Sequence, residues 1–268
     1  MTSDVISSFE APEAFEQTGF RVVKGAIPRD LCGELAAEIV SWVEDPTQTG
    51  APATEYGVLR HDAASHVPEL ADLLQSGTLS RIAVEALGGR SARFFQDVVV
   101  WKTSGTAEPV HWHQDYAYWP LDRPDGVVLW LALDDADAGN GCLHLIPGTH
   151  VLGERRVQGF EAEEARGDRG ALPVLDVSGR EELVVEVPVQ PGDIVLMHPL
   201  VWHMSTPNPS ARRRIAWATT WIGADVRWDL ERANHPYRYT LTPADGEPVR
   251  GDRFPQFNRT DARASEKR

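Results

Sequence analysis

Apolar and polar residues alternate through GFRVVKGAI, Gly19 to Ile27, and a period of two marks a half-buried strand. The period then changes. In PRDLCGELAAEIVSWVE, Leu31, Leu35, Ile39 and Trp42 recur three or four positions apart behind a Pro-Arg-Asp start, which predicts an amphipathic helix packed against other structure. VPELADLLQ and LSRIAVEAL carry the same spacing, and the second runs into Gly88 and Gly89, residues that end helices readily. From Arg93 onward the chain breaks into short runs: RFFQDVVVWK, GVVLWLALDD, CLHLIP, ELVVEVPV, DIVLMHP and RRIAWATTWI. Gly, Pro, Asn and Asp separate them at intervals suited to a sandwich or barrel and not to alternating strands and helices. The pattern predicts a mainly β protein with flanking α-helices: a helical N-terminal support over about 1–90 and a jelly-roll core, the double-stranded β-helix of cupin-like proteins, over about 91–224. Residues 151–180 are rich in Gly, Glu and Arg without a period and read as a lid loop. Residues 225–268 read as a polar C-terminal tail that frays. One domain over 1–268 is expected, because barrels of this size commonly stay undivided.

Composition narrows the function classes. Charged residues make up 25 % and hydrophobic residues 42 %, an ordinary globular balance. No apolar run approaches the roughly 20 residues of a membrane span, and the start, MTSDVISSFEAPEAF, has neither the basic nor the apolar region of a secretory signal. The expected compartment is the cytoplasm. Cys32 and Cys142 are the two cysteines; without CxxC spacing they read as core thiols. A net charge of −14 repels nucleic acid phosphates and anionic lipid, so no nucleic acid and no membrane partner is expected. The same acidity hints at a basic small-molecule substrate. Monomer and homodimer both remain open.

The segment VHWHQDYAYWP, Val110 to Pro120, sets His111, His113 and Asp115 among Trp112, Tyr116, Tyr118 and Trp119. Burying such polar groups is unfavourable unless the fold satisfies them. On a strand, His111, His113 and Asp115 share one face, and Trp112, Gln114 and Tyr116 take the other. Two histidines with one carboxylate is the ligand set of non-haem Fe(II) oxygenases, so a further ligand must come from elsewhere. His198 and His203 lie in PGDIVLMHPLVWHMSTPNPSARRRIAW, on a strand that a jelly roll brings beside the first. His203 is the better candidate, because Ser205, Asn208 and a cluster of arginines follow it. An oxygenase with a diacid cosubstrate needs a fixed cation deep in its barrel, and guanidinium offers a two-pronged fork for a carboxylate. Arg212 and Arg214 share strand parity with Ala216 and Ala218, whose small side chains leave room. Arg214 is the first choice and Arg212 the reserve.

With these residues in order, the sequence resembles the phytanoyl-CoA dioxygenase family of Fe(II)/2-oxoglutarate oxygenases. The resemblance runs from GFRVVKGAI through RIAWATTWI and rests on ordered blocks: WHQD, WLALDDADAGNGCLHLIPGTH, PGDIVLMHPLVWHMSTPN and the arginine cluster. It implies iron held by His113, Asp115 and His203. It also implies 2-oxoglutarate gripped at its far carboxylate by Arg214 with help from Ser205, and Gln114 and Trp130 near the cosubstrate. Strand alternation, by contrast, turns Gln114 away from the metal face. The implied activity consumes O2 and 2-oxoglutarate, with ascorbate as the reductant in vitro, and oxidises a small molecule of specialised metabolism. Asp115 supplies the carboxylate that related halogenases lack, which favours hydroxylation; desaturation, epimerisation and ring closure are other outcomes of the same chemistry. Neither a basic patch nor a phosphate-cradling glycine loop prepares the chain for coenzyme A.

A rival reading uses His111. GTAEPVHWH fits the Gly-x5-His-x-His opening of a cupin metalloenzyme without cosubstrate, but Gln114 through Pro120 contain no glutamate to continue that pattern. His144 and His150 read as parts of a turn into the lid, and His198 as a packing residue. Tyr116, Tyr118 and Trp119 suit either the core or the wall of a site for a flat substrate. Glu161, Glu163, Glu164 and Asp168 read as a solvated face.

Overall fold

A computed structural model describes residues 7–47, 57–156 and 172–258. The first third holds α1 (Ala14–Thr18), β1 (Phe20–Val23), α2 (Arg29–Glu44), β2 (Val58–His61), α3 (Pro68–Gln75) and α4 (Thr78–Ala86). The three longer helices coincide with the three helical runs of the sequence. In α2 the buried stripe is Cys32, Leu35, Ala36 and Ile39, with Leu31 and Trp42 half-buried at its edges. After them come β3 (Ala92–Lys102), β4 (Val110–His113), β5 (Gly126–Ala132), β6 (Leu143–Ile146), β7 (Val185–Val187), β8 (Ile194–Met197), β9 (Trp202–Ser205), β10 (Arg214–Gly223), α5 (Tyr237–Thr240) and β11 (Gln256–Phe257).

Two antiparallel sheets form the expected jelly roll. The larger has seven strands in the order β1-β8-β5-β10-β3-β11, with β2 also paired to β3, and the smaller has four in the order β4-β9-β6-β7. Alternation along β10 divides the molecule into layers. Ile215, Trp217 and Trp221 face outward onto Leu35, Ile39, Leu70 and Ile82 of the helices. Ala216 and Ile222 face inward, where Val128, Trp130, Val195 and Met197 meet Leu143, Leu145, Val185 and Val187 of the smaller sheet. The pairing of β10 with β3 slips between Thr220, opposite Gln96, and Trp221, opposite Phe94. The extra residue is Phe95, and such a bulge re-aims side chains. Phe95 joins the inner core while its neighbour Gln96 lines the cavity described below.

The helical layer is fastened to β3 by Asp97. This buried carboxylate accepts hydrogen bonds from Trp217 Nε1 at 2.8 Å and from the Ala64 amide at 3.1 Å, capping the short turn at 63–65.

One expectation fails. The stretch after Asp225 does not fray: Val226, Trp228, Ala233, Tyr237, Val249 and Phe254 are all buried. Phe254 stacks on Phe95 at 5.9 Å between ring centroids, Tyr237 meets the same ring edge-on at 5.6 Å, and β11 pairs with the start of β3. These apolar residues follow no period, so a pattern reading sees a loop; each enters the barrel mouth singly from an irregular segment. The end of the expected tail, 259–268, lies outside the described residues. So does most of the expected lid, 157–171, whose flanks meet in a bridge between Arg156 and Val174. Among the described residues no helix is long and apolar enough to cross a membrane.

Two outcomes test this packing. Phe254→Ala is expected to lower unfolding stability by about 3–5 kcal/mol in urea titrations, the range for large aromatic truncations in a core. Burial pushes the Asp97 carboxyl up to about 6 against the opposing hydrogen bonds from Trp217 and Ala64, from an ordinary value of about 4. A raised folded value favours the protonated form, so this contribution is complete below about pH 4 and is lost as pH rises to about 6. Asp97→Asn is therefore expected to gain stability relative to the parent across that interval, measured by denaturant unfolding at each pH.

Candidate metal centre

The centre begins with β4 pairing antiparallel to β9, which sets His113 opposite His203. Their rings lie 4.1 Å apart between centroids. The Nδ1 atom of His113 lies 2.7 Å from the His111 carbonyl, and that of His203 lies 3.1 Å from the Val201 carbonyl. A carbonyl only accepts, so both Nδ1 atoms carry the proton and both Nε2 atoms are left to face the cavity. β4 ends at His113. Asp115 is therefore not the next residue of the same strand face, as alternation suggested, but the first residue of a tight turn at Asp115–Tyr118. The turn carries its carboxylate back over the two rings: Asp115 Oδ1 stands 3.5 Å from each Nε2. Burial alone would raise the Asp115 carboxyl, but His203 and then His113, when their Nε2 atoms are also protonated, override it and hold it well below the usual carboxylate range; a metal cation takes the place of those protons.

Three donor atoms, from His113, Asp115 and His203, thus lie within 4.8 Å of one another. Two imidazole nitrogens and one carboxylate oxygen, converging from one side and with Nδ1 already fixed on each ring, fit a first-row divalent metal such as Fe(II). His111 does not join them: it is exposed and outside the cavity lining, and it serves the centre through its carbonyl. His198 accepts the Leu200 amide hydrogen bond at 3.1 Å and packs near His150 at 5.2 Å. His144 lies on β6 beside Glu186 at 3.9 Å.

Gln114 is turned away from the cavity. Its nitrogen donates to the carbonyls of Leu200 at 2.7 Å and Gly153 at 3.1 Å, and its oxygen accepts from the Arg155 amide at 2.7 Å. The side chain is fully buried and absent from the cavity wall, which corrects its expected place beside the cosubstrate: the extended backbone at Gln114 keeps strand alternation for one more residue. What Gln114 does is clamp the segment between two ligands to the turn that leads into β9. The Tyr116 amide, donating to the Pro199 carbonyl at 3.1 Å, adds a second fastening.

The cavity beside the metal centre is lined by Ser205, Trp130 and Arg214 among others. Arg212 leaves the expected parity, because β10 starts only at Arg214; its guanidinium is exposed and paired with Asp137 at 2.8 Å. Arg213 likewise pairs with Asp134 at 3.2 Å. Arg214 is fully buried. Its guanidinium lies over the Trp130 ring at 5.3 Å and donates from Nη1 to the Val100 carbonyl at 3.3 Å, while Nε and Nη2 meet no partner among the described residues. Burial pushes it down to about 10.

The sequence reading missed the second buried cation, Lys102. Its Nζ donates to the carbonyls of Glu108 at 3.2 Å and Ser205 at 3.4 Å, and burial together with Arg214 pushes it down to about 7. A lysine ending an apolar strand was the available signal. Among the described residues no carboxylate pairs with either cation. A buried guanidinium beside a metal centre and without a counter-ion, backed by a lysine that gains its proton readily when an anion arrives, suits an anionic ligand.

Comparison with known proteins agrees with this geometry. The family model described as phytanoyl-CoA dioxygenase (PhyH) matches residues 15–216. A phytanoyl-CoA dioxygenase domain-containing protein 1 from Danio rerio is 37 % identical over 127 residues, covering 44 % of this chain and 41 % of the relative. The chain spans about half the length of the curated relatives it matches. Among solved structures, the non-haem alpha-ketoglutarate-dependent carbocyclase SnoK of nogalamycin biosynthesis superposes with a TM-score of 0.73 at 21 % identity, covering 96 % of this chain and 97 % of that one. The epimerase SnoN, solved with Fe3+, alpha-ketoglutarate and nogalamycin RO, gives 0.71 at 20 % identity, covering 95 % and 99 %. At these identities the likeness is one of fold.

Replacing Gln114 by Leu tests its position. If it clamps Asp115, divalent metal affinity should fall about 10- to 100-fold, as it does when groups orienting metal ligands are lost, with the affinity of the metal-loaded protein for 2-oxoglutarate unchanged. Isothermal titration with Ni(II), then with 2-oxoglutarate, separates the two.

Proposed function

The chain belongs to the phytanoyl-CoA dioxygenase family, and on that premise we propose that it is an Fe(II)- and 2-oxoglutarate-dependent dioxygenase that hydroxylates a small molecule of specialised metabolism. The observation that carries this reading is Arg214, a completely buried guanidinium with two unmet nitrogens, in the same cavity as the His113, Asp115 and His203 donors. A cupin metalloenzyme without cosubstrate has no use for such a cation. A diacid does: its distal carboxylate takes the guanidinium fork, and its other end reaches the metal.

Each residue then has a physical task. His113, Asp115 and His203 would hold the iron, with the tautomer of each ring set by the backbone carbonyl two residues before it, His111 and Val201. Bound iron supplies the activation of O2 that couples conversion of 2-oxoglutarate to succinate and CO2 with oxidation of the substrate. Arg214 would orient 2-oxoglutarate, and its contact with Trp130 keeps the guanidinium from swinging. The Ser205 hydroxyl, on the same strand as His203, would donate to the cosubstrate. Val98, Val100, Val128 and Ala218 line the space between and exclude water, which strengthens every ionic contact there.

Purified protein with Fe(II), ascorbate and 2-oxoglutarate is expected to form succinate slowly without added substrate, and His113→Ala to abolish it. Arg214→Leu should raise the KM for 2-oxoglutarate by roughly tenfold to a hundredfold, in line with about 1.5–3 kcal/mol for a charged hydrogen-bonding pair, while retaining metal. Full activity of Arg214→Leu would favour the cosubstrate-free reading; no succinate and no 2-oxoglutarate binding by the parent would overturn the proposal.

A further inference from the structure

At the end of the cavity away from Arg214 stands a polar wall that binding of metal and cosubstrate leaves unused. Along β10 the inward face runs from Arg214 through Ala216 and Ala218 to Thr220, roughly 20 Å at about 3.3 Å per residue. Thr220 pairs with Gln96 across the strands. His61, at the end of β2, and Asn234 and His235, from the C-terminal segment, complete the wall. Gln96 sits beside Asp97 in the otherwise apolar run FFQDVVV and shares the inward face of β3 with the cavity-lining Val98 and Val100.

The orientation of the Gln96 amide follows from proton counting. The Tyr237 backbone N–H donates to His235 Nδ1 at 3.2 Å, so Nδ1 is the unprotonated nitrogen. Burial pushes this imidazole down to about 3, so it is neutral and its proton sits on Nε2. That proton is donated to Gln96 Oε1, 2.6 Å away. A flipped Gln96 would set its own N–H against that of His235. Its NH2 group is therefore committed to the cavity, where no described residue accepts from it, although 94 % of the residue is buried, its exposure being 6 %. His61 meets His235 edge-on at 5.7 Å, and burial lowers its protonation too. Asn234 repeats the pattern: its oxygen accepts from the Tyr239 hydroxyl at 2.7 Å, leaving its nitrogen as a donor.

The wall thus offers fixed donors and no anion. Asp115 is the one carboxylate among the described cavity residues. Asp62, next to His61, is engaged outside the cavity by the Tyr237 hydroxyl at 2.6 Å and by Arg253. The acidity of the chain as a whole does not extend to this surface, which argues against the basic substrate that the net charge suggested.

We propose that this wall recognises a carbonyl or equivalent acceptor oxygen on a neutral, mainly apolar substrate, with Gln96 as the donor and His235 as the positioning residue that fixes its amide. The proposal rests on the oxygenase reading of the cavity and adds the chemical class of what enters it. A buried donor left unmet loses binding free energy, so a ligand lacking the oxygen is disfavoured.

The test uses a matched pair of probes, 1-tetralone and tetralin, which differ by one carbonyl, titrated into the full chain by ligand-observed NMR with and without Ni(II) and 2-oxoglutarate. The parent is expected to prefer 1-tetralone by about fivefold or more. Gln96→Leu should remove the preference while still binding tetralin, and His235→Phe should weaken it although Gln96 remains. Imidazole 15N shifts of the parent at neutral pH should show His235 as the neutral Nε2–H tautomer. Equal affinity for the two probes, including no affinity for either, overturns the proposal, as does a preference that survives Gln96→Leu or a His235 protonated at Nδ1. Failure of the parent to form succinate would overturn the oxygenase reading and leave the tetralone preference to stand or fall by itself.

Discussion

A guanidinium removed from water without a counter-ion is among the least favourable arrangements a fold can contain, and Arg214 is such a group. Its partial compensations, a carbonyl at Val100 and the face of Trp130, come from β3 and β5, the two strands that flank β10 in the larger sheet. They soften the penalty without removing it, and Lys102 close behind is itself pushed down to about 7 by burial and by this guanidinium. The arrangement becomes reasonable if the cavity is half of an ion pair, which on the function proposed above the distal carboxylate of 2-oxoglutarate would complete. The small residues that follow along β10, Ala216 and Ala218, belong to the same constraint, because a carboxylate reaches this depth only if the strand face between it and the mouth is thin.

The metal donors depend on a different kind of constraint. One cross-strand pair supplies the two imidazoles, so their separation is a property of sheet geometry and is insensitive to side-chain detail. Asp115 has no such support. It lies just beyond the end of β4, on a turn, and turns are held by whatever ties them down. Gln114 and the Tyr116 amide provide that tie by fastening the turn to Leu200 and Pro199, immediately before β9. The same short segment that leads to His203 thus also fixes Asp115, so a displacement of one ligand moves the others with it.

How far the sequence disclosed all this depended on the range of each signal. The helices and most strands were legible because amphipathic period is local. His113 and Asp115 were legible by spacing, and His203 by the polar and basic residues after it. The choice between Arg212 and Arg214 turned on where β10 begins, a boundary that composition blurs because three arginines adjoin. For Gln114, two lines of reasoning disagreed, and alternation along the chain described its direction better than the resemblance did. The C-terminal segment escaped because its buried residues are aperiodic: Trp228, Tyr237 and Phe254 are each anchored by a contact with Phe95 distant in sequence. The wall at Gln96 escaped for a related reason: alternation along β3 sets Gln96 with Val98 and Val100, but the His61, Asn234 and His235 that complete the wall come from segments distant in sequence.

Charge makes the same point at a larger scale. The chain carries −14 overall, yet the cavity holds one buried guanidinium, a buried lysine behind it brought down to about 7 and donor-bearing amides at the far end, against a single carboxylate that two imidazoles already face. Long-range potential acts on encounter and is screened within about 10 Å at ordinary ionic strength. Discrimination inside a closed site depends on the few groups that touch the ligand. An acidic surface around an electropositive interior is therefore no contradiction. The surface governs solubility and approach, while the interior, held by β3, β10 and the C-terminal segment, would on the proposals above select ligands that accept hydrogen bonds at both ends of the chamber.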